Sequence, residues 1–386
     1  MALIADPEAA KTVLGGSEEH FPKWRIYERV VGAGTGRESL SAASGAQWRR
    51  QRRAFGPMFR PEVASRLVPL FQRATEHAIA AWSAQGDAVR FDASLEMTRL
   101  TLDIIWRALF GADPESEPPP IVARAAAQIH AAQLRGDVNA PAARIAELAD
   151  TASRWTPARG VMPGNPFDAW GAASNEEPQA GLTRQELYDN ARVFLGAGHE
   201  TTALTLTWAL WLVAQDLETQ RRIHGEIDQM VGADPIEDAH TERLAFTGQV
   251  LSETLRLFPP ALVTVRQSRD PIVLAGERLP AATVLAVCIY ALHRHRRWWE
   301  VPDLFRPDRF APGSGEPRHR YAYLPFSAGR HACIGAALGW KEAVTIFATI
   351  LQRFRVATDG AVPVRPRMTI TLRPDREVPI VLHRRS

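Results

Sequence analysis

A chain of 386 residues, 46% of them hydrophobic, can bury a large core, and its composition gives no sign of disorder. A net charge of +3, from 46 basic and 43 acidic residues, is too mild to indicate nucleic-acid binding. Two cysteines exclude a disulfide framework, no apolar run reaches the roughly 18 residues of a membrane span, and no signal-peptide pattern is present. These features predict a soluble, cytoplasmic protein with no membrane anchor. Lysine occurs only at positions 11, 23 and 341 amid abundant Arg and Ala, a bias that suggests a GC-rich, bacterial coding sequence.

Ala2–Ala5 is a short apolar run, and Asp6-Pro7-Glu8 reads as a helix start with Asp as cap and Pro at the first position. Gly32–Gly45 is Gly- and Ser-rich and reads as loop. Helical patterns follow from Ala46, over Ala64–Trp82 and over Leu95–Phe110. Pro114–Pro120 is a breaker, and residues 121–156 are Ala-rich and helical. Residues 157–181 read as an exposed connector rather than a domain boundary. Thr183-Arg184-Gln185-Glu186 has capping-box form and opens a helix to about Gln215. That helix is apolar on all sides, so a buried central position is predicted. Helices continue through Met230 and from about Gly248 to Leu257, ended by Pro259-Pro260. Val263, Val265, Ile272–Leu274 and Thr283–Tyr290 then read as strands. A Pro-rich loop, a loop around Cys333 and a helix to about Phe354 follow. Met368–Leu372 and Val378–Leu382 read as short strands. The prediction is a mainly α chain with a minor β region, one domain over residues 1–386, without internal repeats.

The segment Phe326-Ser327-Ala328-Gly329-Arg330-His331-Ala332-Cys333-Ile334-Gly335 sets a cysteine between glycines, just before an Ala/Leu-rich helix. A helix N-terminus favours a thiolate through its dipole and free N–H groups. Gly329 and Gly335 let backbone approach closely, and Phe326 shields the sulfur. Such a loop can hold a thiolate under a large flat cofactor. A lone cysteine is more often structural, and Cys288, in an apolar β-prone run, reads that way. On the long helix stands Ala197-Gly198-His199-Glu200-Thr201-Thr202. Thr201 can bond the carbonyl one turn earlier, and an alcohol beside an acid can relay protons from water. The competing account is an accidental Gly beside a solvated Glu. Glu253 and Arg256 share a helix face, as do Trp48 and Arg52. His293-Arg294-His295 has no Cys or carboxylate cluster at ligand spacing and reads as structural.

The cysteine segment resembles the haem-binding signature of the cytochrome P450 family, with Ser327 where a Gly often follows the Phe. That resemblance implies a P450 fold, with the long helix over the haem and the cysteine loop beneath it. It implies haem b, with Cys333 as axial iron ligand and His331 bonding a propionate. Ala197, Gly198, Glu200 and Thr201 match the family's oxygen-binding motif, Glu200 as acid and Thr201 as alcohol. Trp48, Arg52 and Arg266 resemble residues that bind the propionates, for which the planar guanidinium is suited. Glu253, Arg256 and Arg309, the last in Pro307-Asp308-Arg309-Phe310, resemble a buried network that fixes the cysteine loop. The matches run in family order from residue 48 to 335. Asp6–Ala10 resembles the family's second helix start, implying that its first helix and early strands are absent.

The activity so implied is a monooxygenase acting on a small apolar substrate, in a monomer. Val193, Phe194, Ala197, Leu262 and Val263 are the expected walls. With no flavin or iron–sulfur segment in the sequence, electrons from NAD(P)H are expected through a separate ferredoxin or flavodoxin-type partner. That partner is expected to dock near Arg49, Arg50 and Arg53. The alternatives are a peroxide-dependent peroxygenase, a haem-thiolate isomerase or dehydratase, and a non-enzymatic haem sensor. Neither of the first two needs the acid–alcohol pair.

Overall fold

The computed structural model describes residues 1–24, 32, 34–111, 120–154, 167, 181–314, 319–359 and 363–385. The predicted breaker before Pro120 and nearly all of the 157–181 connector lie outside them. β1 (Ala2–Ile4) precedes α1 (Pro7–Gly15), where Asp6 accepts from the Ala9 N–H at 2.9 Å. A 3-10 turn at Gly56–Phe59 separates α2 (Gly45–Phe55) from α3 (Pro61–Ser83). β2 (Ala88–Asp92) runs into α4 (Ala93–Phe110), which Asp92 caps through the Ser94 N–H. α5 (Pro120–Arg135) and α6 (Ala140–Arg154) follow. α7 (Arg184–Gln215) is the long central helix. Its capping box is closed in both directions, Glu186 N–H to Thr183 Oγ1 at 3.1 Å and Thr183 N–H to Glu186 Oε2 at 3.0 Å. α8 (Leu217–Met230), α9 (Asp238–Arg243) and α10 (Ala245–Leu257) complete this helical run.

The β-rich part holds β3 (Val263–Gln267), β4 (Ile272–Leu274), β5 (Glu277–Leu279) and β6 (Val284–Cys288). After α11 (Ile289–Leu292) and the cysteine loop come α12 (Ala336–Arg353) and β7 (Phe354–Thr358). β8 (Pro366–Met368), β9 (Leu372–Pro374) and β10 (Pro379–Arg384) end the chain. One sheet has the order β1-β6-β3, with β1 parallel to β6 (Ala2 opposite Leu285) and β3 antiparallel to it. A second has the order β2-β10-β7. β4 and β5 form a hairpin over Ala275 and Gly276, at φ 51° and 83°, as a two-residue turn with positive φ at both positions requires.

Several strands depart from the predicted pattern. Ala2–Ile4 pairs with β6, so an early strand of the β region is present. The Thr283–Tyr290 strand stops at Cys288, where the chain turns into α11. Met368–Leu372 spans the end of a hairpin: Met368 and Leu372 pair as the last and first residues of β8 and β9, and residues 369–371 form the turn. β2, β5 and β7 carried no recognised signal. They are three to five residues long, and β2 pairs with β10, almost 300 positions away, so the partner rather than local propensity creates the strand.

The core surrounds α7, whose Leu206, Trp208, Leu210 and Val213 are fully buried. A Cβ added at Gly198 would come within 3.0 Å of Ile105, so this glycine sets how closely α4 approaches α7. α12, buried along Val344, Ile346, Phe347 and Ile350, packs against α3 and α7. The cysteine loop is thereby fixed at the N-terminus of α12, facing α7.

Candidate active site

The cysteine loop is folded on itself by the Cys333 N–H, which donates to Phe326 O at 3.0 Å. Gly329 sits at φ 75°, and a Cβ there would lie 1.8 Å from Leu14 O, so α1 and the loop meet only because the side chain is missing. Gly335 is different: at φ −91° a Cβ would meet only Phe59, at 3.8 Å, and the protein itself has room for one. Ser327 adopts φ 59°, a conformation that favours glycine, and its buried Oγ has no partner among the described residues. The Cys333 thiol faces an internal cavity, which explains why it is solvent-accessible though enclosed by protein. Burial raises its pKa, while the Gly335 N–H and Arg52 pull the other way. Desolvation is thus the largest influence on this thiol, ahead of the Gly335 N–H at the start of α12.

The cavity has a volume of about 390 Å³ and lies between the cysteine loop and α7. Phe59, Ile105, Val193, Phe194, Leu251 and Leu255 make much of its wall apolar, with Ala197 and Gly198 beside them. Leu262 and Val263, the other expected walls, are elsewhere: Leu262 is in the core and Val263 is exposed. Pro260, Ala261, Thr264 and Val265 line the cavity in their place.

One edge of the cavity is strongly basic. His331 lies there, its ring 4.2 Å from that of Trp48. Both His331 ring nitrogens are buried and without partners among the described residues. Burial, followed by the charges of Arg266, Lys23, Arg52 and Arg330, pushes its pKa down to about 3. The Arg52 guanidinium makes no hydrogen bond among the described residues, and burial pulls its pKa down as well. Arg266 donates to Val265 O at 2.8 Å. Lys23, which sequence reasoning missed, donates to the carbonyls of Leu40, Ser41 and Ala43 and lines the same edge. Its rarity in an Arg-rich chain was the available signal.

α7 forms the opposite wall. Thr201 Oγ1 donates to Ala197 O at 2.8 Å. Glu200 turns away from Thr201: its Oε1 accepts from Thr371 Oγ1 at 2.9 Å and pairs with the Arg373 guanidinium. His199 is buried with Nδ1 2.6 Å from Leu195 O, and burial lowers its pKa. Glu342 of α12, also unforeseen, lines the cavity. Its Oε2 accepts from Thr202 Oγ1 at 3.2 Å, Oε1 has no partner among the described residues, and burial raises its pKa to about 8. The single acid of a helix whose middle is mostly apolar was the signal for it.

Behind the loop, Glu253, Arg256 and Arg309 are fully buried together. Arg256 donates to both Glu253 oxygens at 2.6 and 2.7 Å, and Arg309 Nε to Oε1 at 3.0 Å. Arg256 also donates to His293 O at 2.9 Å, and His293 Nε2 accepts from the Leu324 N–H at 2.7 Å, two residues before Phe326. Burial and Arg256 hold the His293 pKa down to about 3, as an accepting ring nitrogen requires. His293 thus braces the loop through Leu324, and His295 Nδ1 accepts from the Arg297 N–H at 3.3 Å.

The family model described as Cytochrome P450 matches residues 1–132 and 167–378. The chain belongs to the cytochrome P450 family. It is 33% identical to cyclooctatin synthase of Streptomyces melanosporofaciens, over 98% of this chain and 85% of that one. It is 27% identical to taurochenodeoxycholic 6 alpha-hydroxylase of Sus scrofa, over 94% of this chain and 78% of the other. The fold matches the crystal structure of the cytochrome P450DA heme domain with a TM-score of 0.84 at 22% identity, covering 100% of this chain and 88% of that one. This P450 is therefore an oxidoreductase of the mainly α haem-binding fold. None of its described helices is long and apolar enough to cross a membrane. The residues fit the family's cofactor. The unpartnered His331 nitrogens and the cations around them suit two carboxylates at the cavity edge, and the lone thiol on its floor suits iron.

Proposed function

We propose that this P450 is a monooxygenase that inserts one atom of dioxygen into a small apolar substrate. The observation that carries the reading is the Cys333 thiol on the floor of an apolar cavity with the Thr201 hydroxyl on its opposite wall. Cys333 would hold the iron of haem b through its sulfur. Trp48, Arg52, Arg266, His331 and Lys23 would hold its carboxylates. Phe326 and Gly335 would lie against it, Gly335 leaving room that the protein does not itself fill. When bound, a thiolate-ligated haem supplies reductive activation of dioxygen and oxygen insertion. The chain's part is then to position and to deliver protons. Ala197 and Gly198 shape the α7 wall, Thr201 holds a hydroxyl at the cavity, and Glu200 supplies the proton behind it. Val193, Phe194 and Pro260 exclude water and take an apolar ligand. Two cysteines are too few for an iron–sulfur cluster held by four thiolates, which supports NAD(P)H electrons through a separate ferredoxin or flavodoxin-type donor. A hydroxylase among the relatives supports the reaction class.

The test is the absorption spectrum of the reduced protein with carbon monoxide, followed by turnover of styrene under ¹⁸O₂. Wild type is expected to show a strongly red-shifted Soret band that is absent in Cys333→Ser, and product carrying one labelled oxygen. A band that does not depend on Cys333, or unlabelled product, overturns the proposal.

A further inference from the structure

We propose that Arg373 and Thr371 are positioning residues that hold the Glu200 carboxylate for proton delivery through a hairpin tied to the cavity wall. The proposal rests on the reading of Glu200 and Thr201 as the proton relay. Glu200 and Thr201 are sequence neighbours, yet their polar atoms are engaged elsewhere. Thr201 Oγ1 is bonded to its own helix at Ala197 O, while Glu200 Oε1 takes Thr371 Oγ1 and Arg373. Arg373 Nη2 also donates to Thr371 Oγ1 at 2.9 Å, so the three side chains form a closed triangle. Glu200 Oε2 has no partner among the described residues, which leaves one oxygen held and the other available.

A carboxylate passes a proton only when an oxygen stands within hydrogen-bond reach of the acceptor, directly or through one water. Glu200 is joined to α7 by a flexible side chain, and without Arg373 the Thr371 hydroxyl would be left as the restraint on its carboxylate among the described residues. The pair is largely shielded, with side-chain exposures of 11% for Arg373 and 24% for Glu200, so its geometry is held more firmly than that of a surface ion pair. The turn between β8 and β9 is itself fixed. Leu372 N–H donates to Pro260 O at 3.1 Å, Trp208 Nε1 donates to Leu372 O at 3.4 Å, and Arg367 donates to Gln133 O at 2.7 Å at the end of α5. Pro260 lines the cavity, so a ligand that presses on that wall is one hydrogen bond from the residues that hold Glu200.

The test uses the haem-loaded protein, with loading checked by the carbon monoxide spectrum. Styrene is the probe and a plant-type ferredoxin with its reductase the electron source. Arg373→Gln, Arg373→Lys, Thr371→Val, Glu200→Gln and the double variant Glu200→Gln/Arg373→Gln are compared. Arg373→Gln is expected to lower product formed per NADPH by about threefold or more and to raise the solvent deuterium isotope effect on oxygen consumption. Arg373→Lys should recover most of the loss, and Thr371→Val should show part of it. In the Glu200→Gln background, Arg373→Gln should add nothing. Independently of turnover, hydrogen exchange at residues 369–375 should rise in both single Gln variants and no further in the double. A wild-type coupling and isotope effect in Arg373→Gln, or an effect that adds to that of Glu200→Gln, overturns the positioning role. If Glu200→Gln alone leaves both quantities unchanged, the relay reading itself fails, and the positioning role falls with it.

Discussion

Glu342 shows how strongly burial can set one side chain's chemistry. Its carboxyl lies between α12 and α7 with one bond to Thr202 and no paired cation among the described residues, and burial lifts its pKa from 4.5 to about 8. The folded chain therefore holds a proton that the unfolded chain releases between those two values. Stability from this group is fully present below about pH 4.5 and is lost as pH rises through about 8. Glu342→Gln removes the titration while keeping the shape. In denaturant unfolding at about pH 5 and pH 8.5, wild type should lose more stability across the interval than the Gln variant, by more than about 1 kcal/mol. Equal losses would show that Glu342 stays ionised in the folded protein. Ser327, in the cysteine loop, is one of the non-glycine residues held at positive φ. Its left-handed backbone costs roughly 1–2 kcal/mol, which is why glycine suits that position.

At the scale of elements, the cysteine loop depends on residues far from it in sequence. Glu253 alone accepts from Arg256, Arg309 and the Arg306 N–H, and both guanidiniums go on to brace the carbonyls of residues 293–304. Glu253→Gln leaves two buried cations with a neutral partner. A loss of about 3 kcal/mol or more is expected, because breaking a buried pair exposes the desolvation cost of the survivor. Since His293 links this network to Leu324, haem release measured by transfer to apomyoglobin should also accelerate. Release at the wild-type rate would separate the network from the loop. The Glu-x-x-Arg spacing and the later Arg309 made this trio legible as a resemblance, though its spacing alone is common on surfaces. The long helices were equally legible, because Asp6, Thr183 and the period of apolar residues act locally. The strands at Val263–Gln267, Ile272–Leu274, Val284–Cys288 and Pro379–Arg384 were legible too, but β2 and β7 were not, since they exist only through β10. Nor was the triangle at Glu200 visible, because Thr371 and Arg373 come from a hairpin about 170 positions away. The wall positions Leu262 and Val263 failed for a related reason. Which way each residue faces after a proline pair depends on the register of β3 against β6, which no local pattern specifies.

Over the whole molecule, charge is nearly balanced, so any electrostatic steering must come from its distribution. Trp48 packs against His331 with the two rings tilted by 53°, which seats α2 against the cysteine loop. Arg53 on α2 and Arg330 in the loop are exposed there, and Arg49, also exposed, lies 3.6 Å from Glu18. Arg50 is committed more tightly, to the buried Glu186 at the start of α7, so this expected docking cation is engaged in the fold. An acidic electron donor approaching this side would come close to Cys333 through the loop rather than through the substrate cavity. Attraction between exposed charges is screened over about 8–10 Å at ordinary ionic strength. The rate of reduction by a plant-type ferredoxin should therefore fall by about tenfold as salt rises from ~50 to ~500 mM. Arg53→Glu should lower the low-salt rate by a similar factor and leave the high-salt rate and the carbon monoxide spectrum as they are. Stopped-flow reduction at the two salt concentrations measures both effects. A rate insensitive to salt, or equal losses from Arg53→Glu at low and high salt, would move the docking surface away from α2, because charge complementarity acts on encounter and vanishes when it is screened.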